Sequence, residues 1–244
     1  MPDLVDVYER LRGDISEHVA GLDSGALGTP VPATPDWSVR DVVAHLAADA
    51  SYAIRGDLPR EFFGALGEDG AVASLNDWTR RQLDERRDRS LQELLDEWAS
   101  SARDLAAMMR GDEPWPDGTL MFIDRVLVTD AAAHQQDIFG ALGIRRDRDG
   151  APIKIGLSSF IAAMGFRLAS AGIPPLRFDV GDKAYTAGDG EPGATVHATR
   201  FELFRALSGR RSPEQIAAYD WDGDAEPYVP YFYPYGVREE ALVE

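Results

Sequence analysis

Apolar residues recur at helical spacing through most of the first 145 residues, and clusters of glycine and proline interrupt them about once per helix length. That pattern restricts this part of the chain to packed helices, because a 3.6-residue apolar period cannot be buried on one face of a strand. Between Asp3 and Val19, the residues Leu4, Val7, Tyr8, Leu11, Ile15 and Val19 form one stripe. A Gly-, Pro- and Thr-rich break covers 21–35. Ser38 then stands three residues before Asp41, the pattern of a capping box, and Val39, Val42, Val43, Leu46 and Ala47 continue toward Ala50 as an apolar face. A further glycine-containing stretch crosses 64–70. A long helix is expected from about Leu75 to Arg110, with a break near Ser90, where Ser90-Leu91-Gln92-Glu93 can recap it. Gly111 and Pro114-Trp115-Pro116 end that helix, and a fourth runs from about Leu120 to Leu142. Four such helices joined by modest loops imply a bundle that carries its sites on inward-facing side chains.

Beyond residue 145 the pattern changes. A charged linker, Arg145 to Gly150, precedes a helix expected over 156–172. Two strands are expected, Leu176 to Val180 and Ala194 to Thr199, with a Gly/Asp-rich hairpin-like stretch between them. A short helix follows from about Arg200 to Ser208, stopped by Gly209. The segment Tyr219–Gly236 holds five Tyr, one Phe and one Trp and is expected to wrap this second part. The fold class is therefore α+β, a helical bundle over residues 1–147 followed by a small α+β domain over 148–244.

Charge and cysteine content exclude whole classes of function. Lys and Arg number 25 against 42 Asp and Glu, a formal net charge of −17. A nucleic-acid partner needs a basic surface and a membrane surface needs a polybasic patch, so neither partner is expected. The chain has no cysteine, which excludes disulfides, thiolate metal sites and a protein thiol nucleophile. Met1 to Asp6 offers neither a basic nor an apolar leader, and no unbroken apolar run reaches the length of a membrane span, so the expected location is the cytoplasm.

Only four histidines occur, His18, His45, His134 and His197. His45 lies at the edge of a buried stripe. His134 follows Asp130 by one helical turn, which puts both side chains on one face, about 5–6 Å apart at Cβ. Asp137 shares that face. An imidazole from a facing helix would complete a 2-His-1-carboxylate set able to hold a divalent ion with open positions. An Asp-x-x-x-His pair is also commonly an ordinary helix pair, and a histidine on an apolar face an ordinary core residue; spacing alone leaves both open. His18 and His197 are read as structural or surface residues without acidic partners at helical spacing. The run Asp84-Glu85-Arg86-Arg87-Asp88-Arg89 is read as a solvated face, Trp37 as a staple before the second helix, and Arg205 as an interdomain or surface ion pair.

Three blocks carry a family resemblance. Thr34-Pro35-Asp36-Trp37-Ser38-Val39-Arg40-Asp41-Val42-Val43-Ala44-His45-Leu46-Ala47 resembles the signature that opens the second helix of the mycothiol-dependent maleylpyruvate isomerase family, within the DinB-like superfamily. Asp130-Ala131-Ala132-Ala133-His134-Gln135-Gln136-Asp137-Ile138 resembles that family's second metal motif, and Phe201 to Arg211 with Trp221-Asp222-Gly223-Asp224 is similar to its C-terminal domain. The blocks occur in the family's order over nearly the whole chain.

The resemblance implies a DinB-like four-helix bundle followed by a small α/β domain. It also implies a divalent metal, zinc first and nickel, manganese or iron(II) as alternatives, held by His45, Asp130 and His134. Asp130 departs from the family's Glu and is one methylene shorter. The metal would activate the thiol of mycothiol, or of another low-molecular-weight thiol, for isomerisation or transfer on a small electrophilic substrate, since coordination favours the thiolate of a thiol whose free pKa is near 8.5. Asp137 would orient His134 or a bound water. The family implicates an arginine of the second domain in activity, which points to Arg210, and Arg210 with Arg211 could anchor carboxylates of the thiol cofactor or substrate. Two other functions fit the same residues: metal-assisted hydrolysis with Asp137 or Asp49 as base, and a non-catalytic metal- or ligand-binding stress-response or regulatory protein. Monomer and homodimer are both compatible with the sequence.

Overall fold

The computed structural model describes residues 2–64 and 70–244. Of the glycine-containing stretch read at 64–70, residues 65–69 lie outside the described residues. Among the described residues the chain divides into two compact units, the first of 2–64 and 73–146 and the second of 147–244 together with 70–72, which includes the first two residues of the helix that starts at Ala71.

In the first unit, α1 (Leu4–Ala20) and the short α2 (Ser24–Leu27) precede a two-stranded ribbon, β1 (Pro30–Val31) and β2 (Thr34–Ser38), paired antiparallel. This ribbon lies in the stretch read from sequence as a Gly/Pro/Thr-rich break. It runs directly into α3 (Val39–Ala53). The expected capping box is formed: Ser38 N donates to Asp41 Oδ2 (2.9 Å) and Asp41 N to Ser38 Oγ (3.2 Å). After α4 (Arg60–Gly64), the long helix expected from about Leu75 with a break near Ser90 is present as two helices, α5 (Ala71–Asp84) and α6 (Leu91–Arg110). The break falls where the sequence placed it, with Ser90 and Glu93 capping reciprocally at 2.7 and 3.3 Å. Gly111 ends α6 in the left-handed region at φ 81°, a conformation a side chain would strain. α7 (Ile123–Ala141) completes the set.

The four-helix bundle is α1, α3, α6 and α7, with α3 and α1 each packed against both α6 and α7. Its core joins the apolar stripes read from sequence, Leu11 and Ile15 of α1 and Val42, Val43 and Leu46 of α3, to Leu94 and Trp98 of α6 and Val128 and Phe139 of α7, all essentially inaccessible. Trp98 Nε1 donates to Tyr8 Oη at 3.0 Å, which satisfies the indole N–H inside the core.

The run Asp84–Arg89 is not wholly a solvated face. Arg86 is buried, with Nη2 2.7 Å and Nε 3.0 Å from the carboxylate of Glu97. A partner eleven residues away, on the next helix, makes that burial tolerable.

The second unit contains α8 (Ala151–Ser170), β3 (Leu176–Asp179), β4 (Ala184–Ala187), β5 (Ala194–His197), α9 (Arg200–Leu207), α10 (Pro213–Ala217) and β6 (Asp220–Asp222). The sheet order is β4-β3-β5-β6, with β3 and β5 parallel and both outer pairs antiparallel. The Gly/Asp-rich stretch expected to be hairpin-like holds the additional strand β4, which returns against β3 in the register Leu176 to Ala187. α8 is apolar and long enough to cross a membrane by length and composition, and it packs against α9 and β4. Gly165 permits that approach, because a Cβ there would stand 2.5 Å from the backbone nitrogen of Gly188. The aromatic segment packs within this unit, with Tyr228, Phe232 and Tyr233 buried and the Trp221 and Tyr228 rings stacked.

Arg205, read as an interdomain or surface ion pair, is instead fully buried. Its guanidinium forks onto the side chain of Glu244 within the same unit. Arg211 is buried beside it, bonded to Glu202 through Nε (2.7 Å) and Nη2 (2.9 Å) and to Glu244 through Nη1 (3.1 Å).

Candidate metal centre

α3 carries His45 and α7 carries Asp130 and His134, and the packing of these two helices brings the three side chains together. One donor atom from each lies within 4.8 Å of the other two. His45 Nε2 is 3.5 Å from Asp130 Oδ2, and His134 Nε2 is 3.6 Å from Asp130 Oδ1. Two donors about 2.1 Å from a tetrahedral ion stand about 3.4 Å from each other, so both spacings suit a single divalent ion. Asp130 therefore reaches the cluster although its side chain is one methylene shorter than Glu. Among the described residues, its buried Oδ2 has no hydrogen-bond partner, a state that a cation would relieve. The donor set, two imidazoles and one carboxylate, suits zinc and its neighbours in the first transition series.

The remaining ring nitrogens are engaged on the far side. His134 Nδ1 is 2.9 Å from Asp137 Oδ2, and Asp137 is fully buried. His45 Nδ1 is 2.7 Å from Gln82 Oε1, while Gln82 Nε2 donates to Asp49 Oδ1 at 2.7 Å. His45 thus turns Nδ1 to a hydrogen-bond acceptor and Nε2 to the cluster, whereas His134 Nδ1 lies at ion-pair distance from Asp137 without hydrogen-bond geometry.

Charge around the rings follows from this crowding. Burial works against a charge on His45, but the carboxylates of Asp49 and Asp130 outweigh it and push its pKa up to about 9. Burial pushes Asp49 up to about 7, an effect opposed by His45 and reinforced by Asp130. Burial also disfavours the Asp130 charge, yet His134 and His45 outweigh it and hold that carboxyl well below the usual carboxylate range. Without a metal, the cluster attracts a proton to the place where a cation would sit.

Trp37 stands before α3, the place where the sequence predicts a staple. It is half-buried, and its ring lies against both histidines, with centroids 5.0 Å from His45 and 5.9 Å from His134, nearly parallel to the latter. The ribbon β1–β2 delivers it there. Gln82 was not anticipated at all, since nothing in its local sequence distinguishes it from other polar positions of α5. Asp49 carried a legible signal, one helical turn beyond His45.

The other sequence candidates have surroundings of their own. Arg210 is buried in the second unit, its Nη1 bonded to the Ser208 carbonyl, and Arg211 is paired with Glu202 and Glu244 as described. His18 does have an acidic neighbour at helical spacing: Asp14 stands one turn earlier, and its carbonyl takes the His18 Nδ1 contact at 2.8 Å. His197 Nε2 is 3.0 Å from Asp222 Oδ2, across the β5–β6 pair. Each of these histidines is held by a partner of its own.

The comparisons with known proteins agree with this architecture. The family model described as the mycothiol maleylpyruvate isomerase N-terminal domain matches residues 8–139. No curated protein matches the chain. Among solved structures, the crystal structure of the mycothiol-dependent maleylpyruvate isomerase superposes with a TM-score of 0.54, and that of a histidine-to-alanine mutant with 0.56. In both cases sequence identity is 15%, and the match covers 86% of this chain and 90% of that one. At such identity the likeness is one of fold. Because the family model takes in more than half of its residues, the chain belongs to the mycothiol maleylpyruvate isomerase N-terminal domain family.

Proposed function

We propose that this protein is a metal-dependent enzyme that uses mycothiol, or another low-molecular-weight thiol, as an isomerase or transferase acting on a small electrophile. The observation that carries the reading is the convergence of His45 Nε2, Asp130 and His134 Nε2 at the spacing of donors around one ion. A divalent ion, zinc first, bound there would favour the thiolate of a thiol whose free pKa is about 8.5. His45 and His134 contribute neutral donors, and Asp130 lowers the net charge of the filled site. Trp37 supplies an apolar wall that keeps water from one side of the imidazoles. Asp137, with a carboxylate oxygen 2.9 Å from His134 Nδ1, is the group placed to orient that ring. Arg210 is the arginine assigned to a carboxylate of the cofactor or substrate; Arg211 is already balanced by two carboxylates of its own unit. The protein works in the cytoplasm, without nucleic acid or membrane as partner.

Hydrolysis is less well supported. The two acids that could act as base stand nearest the Nδ1 atoms, Asp137 2.9 Å from that of His134 and Asp49 3.5 Å from that of His45, with Asp49 also in contact with Asp130. They are placed to orient the rings rather than to take a proton from a water at the cluster.

Elemental analysis of tag-free protein tests the metal: about one divalent ion per chain is expected, and His134→Ala should lose it. Calorimetric and mass-spectrometric screening with mycothiol and other small thiols tests the chemistry. Metal-saturated protein that neither binds a thiol nor depends on one for turnover would overturn the reading, and would favour a ligand-binding role.

A further inference from the structure

We infer that Gln82 is a positioning residue that fixes which nitrogen of His45 is offered to a metal ion, and that Asp49 sets the direction of its carboxamide; this rests on the metal reading above. Gln82 belongs to α5, outside the helices that carry the ligands, and it is fully buried. Its two ends are both engaged at 2.7 Å, Oε1 with His45 Nδ1 and Nε2 with Asp49 Oδ1.

The direction of every bond in this chain is determined. Above about pH 7, where Asp49 is ionised and only accepts hydrogen bonds, the NH2 end of Gln82 must face Asp49. The amide oxygen then faces His45 and can only accept, so Nδ1 must carry a hydrogen. In the neutral ring the lone pair is left on Nε2, the atom that enters the ligand cluster. Asp49 lies 3.5 Å from the same Nδ1, too long to replace the amide contact without movement. His134 is backed instead by an acid, Asp137. The two histidines are thus unequal donors, one supported by a carboxylate and the other by a neutral amide whose orientation a more distant carboxylate enforces.

Two measurements on the full chain test this. In metal-free protein above about pH 9, where the ring is neutral, proton NMR should show a downfield, slowly exchanging Nδ1 proton of His45 and no proton on Nε2. That signal should vanish in Gln82→Leu and return in Gln82→Glu, whose carboxylate can accept the same bond. Titration with cobalt(II) alone should show Gln82→Leu binding roughly 10–100-fold more weakly than wild type, with an altered visible spectrum, and Gln82→Glu recovering most of the loss. If Gln82→Leu does not fold, Asp49→Leu, which keeps Gln82 but removes what orients it, should weaken both readouts in the same direction. A folded Gln82→Leu or Asp49→Leu protein that keeps the Nδ1 proton and binds cobalt(II) like wild type overturns the inference. Wild-type protein that shows the Nδ1 proton but takes no cobalt(II) overturns the metal reading instead.

Discussion

His134 Nδ1 stands 2.9 Å from Asp137 Oδ2, three residues further along the same helix, and the carboxylate is fully buried. The contact lacks hydrogen-bond geometry as it stands, so the acid acts through its charge and its place beside a ring whose other nitrogen faces the ligand cluster. Asp137→Asn keeps the shape of the side chain and removes its charge. It should weaken zinc binding by roughly 10–100-fold, read by competition with a chromogenic chelator. Wild-type affinity in that variant would mean that the helix alone orients His134.

Asp130 lies 3.5 and 3.6 Å from the two Nε2 atoms, already at donor spacing. An added methylene is therefore not needed for reach, and Asp130→Glu must fold its longer chain back to place an oxygen in the same space. It should still bind metal, within about tenfold of wild type, whereas Asp130→Ala removes the only charged donor and should lose more than about 100-fold. Isothermal titration of the three proteins side by side checks the order.

These positions differ in how far the sequence revealed them. His45, Asp130 and His134 were legible because two helices encode their own faces: the apolar stripe placed His45, and the i, i+4 spacing paired Asp130 with His134. The resemblance supplied the convergence that spacing could not. Gln82 and Trp37 reach the cluster from α5 and from β2, elements whose placement depends on tertiary packing. The same limit explains Arg86 and Arg205. Arg86 lies in a charged run that reads as surface and Arg205 on a mostly apolar short helix, and each is buried because a carboxylate 11 or 39 residues away meets it. Helix boundaries were better specified, since a capping box such as Ser38–Asp41 or Ser90–Glu93 is complete within four residues.

The second unit should respond to acid through Glu202. Burial opposes its charge, but bonds from Arg211 outweigh that and hold its pKa below the ordinary value of 4.5. A carboxyl with a depressed folded-state pKa stabilises the fold above its unfolded pKa, and the contribution disappears as pH falls through the folded one. Glu202→Gln should therefore cost about 2 kcal/mol at neutral pH, between the ranges for exposed and buried pairs, because its side chain is 36% exposed. The gap between variant and wild type should narrow steadily below about pH 4.5. Urea unfolding across that range checks it, and a gap independent of pH would mean that packing rather than charge is lost.

Trp37 separates a packing role from a chemical one. Its ring rests on both imidazoles, yet it supplies no donor atom. If it only staples the start of α3, Trp37→Ala should lower the melting temperature and leave the site's behaviour unchanged. If it shields the imidazoles, metal affinity should stay within about threefold of wild type, while kcat/KM for the thiol-dependent reaction falls at least about tenfold, some 1.4 kcal/mol of lost transition-state stabilisation. Trp37→Phe keeps an aromatic face over the rings and should recover most of the rate. The second outcome is expected, because a side chain that is only half-buried adds modestly to stability, while an aromatic face 5.0 Å from one ring and 5.9 Å from the other displaces water where an exposed thiolate would be quenched.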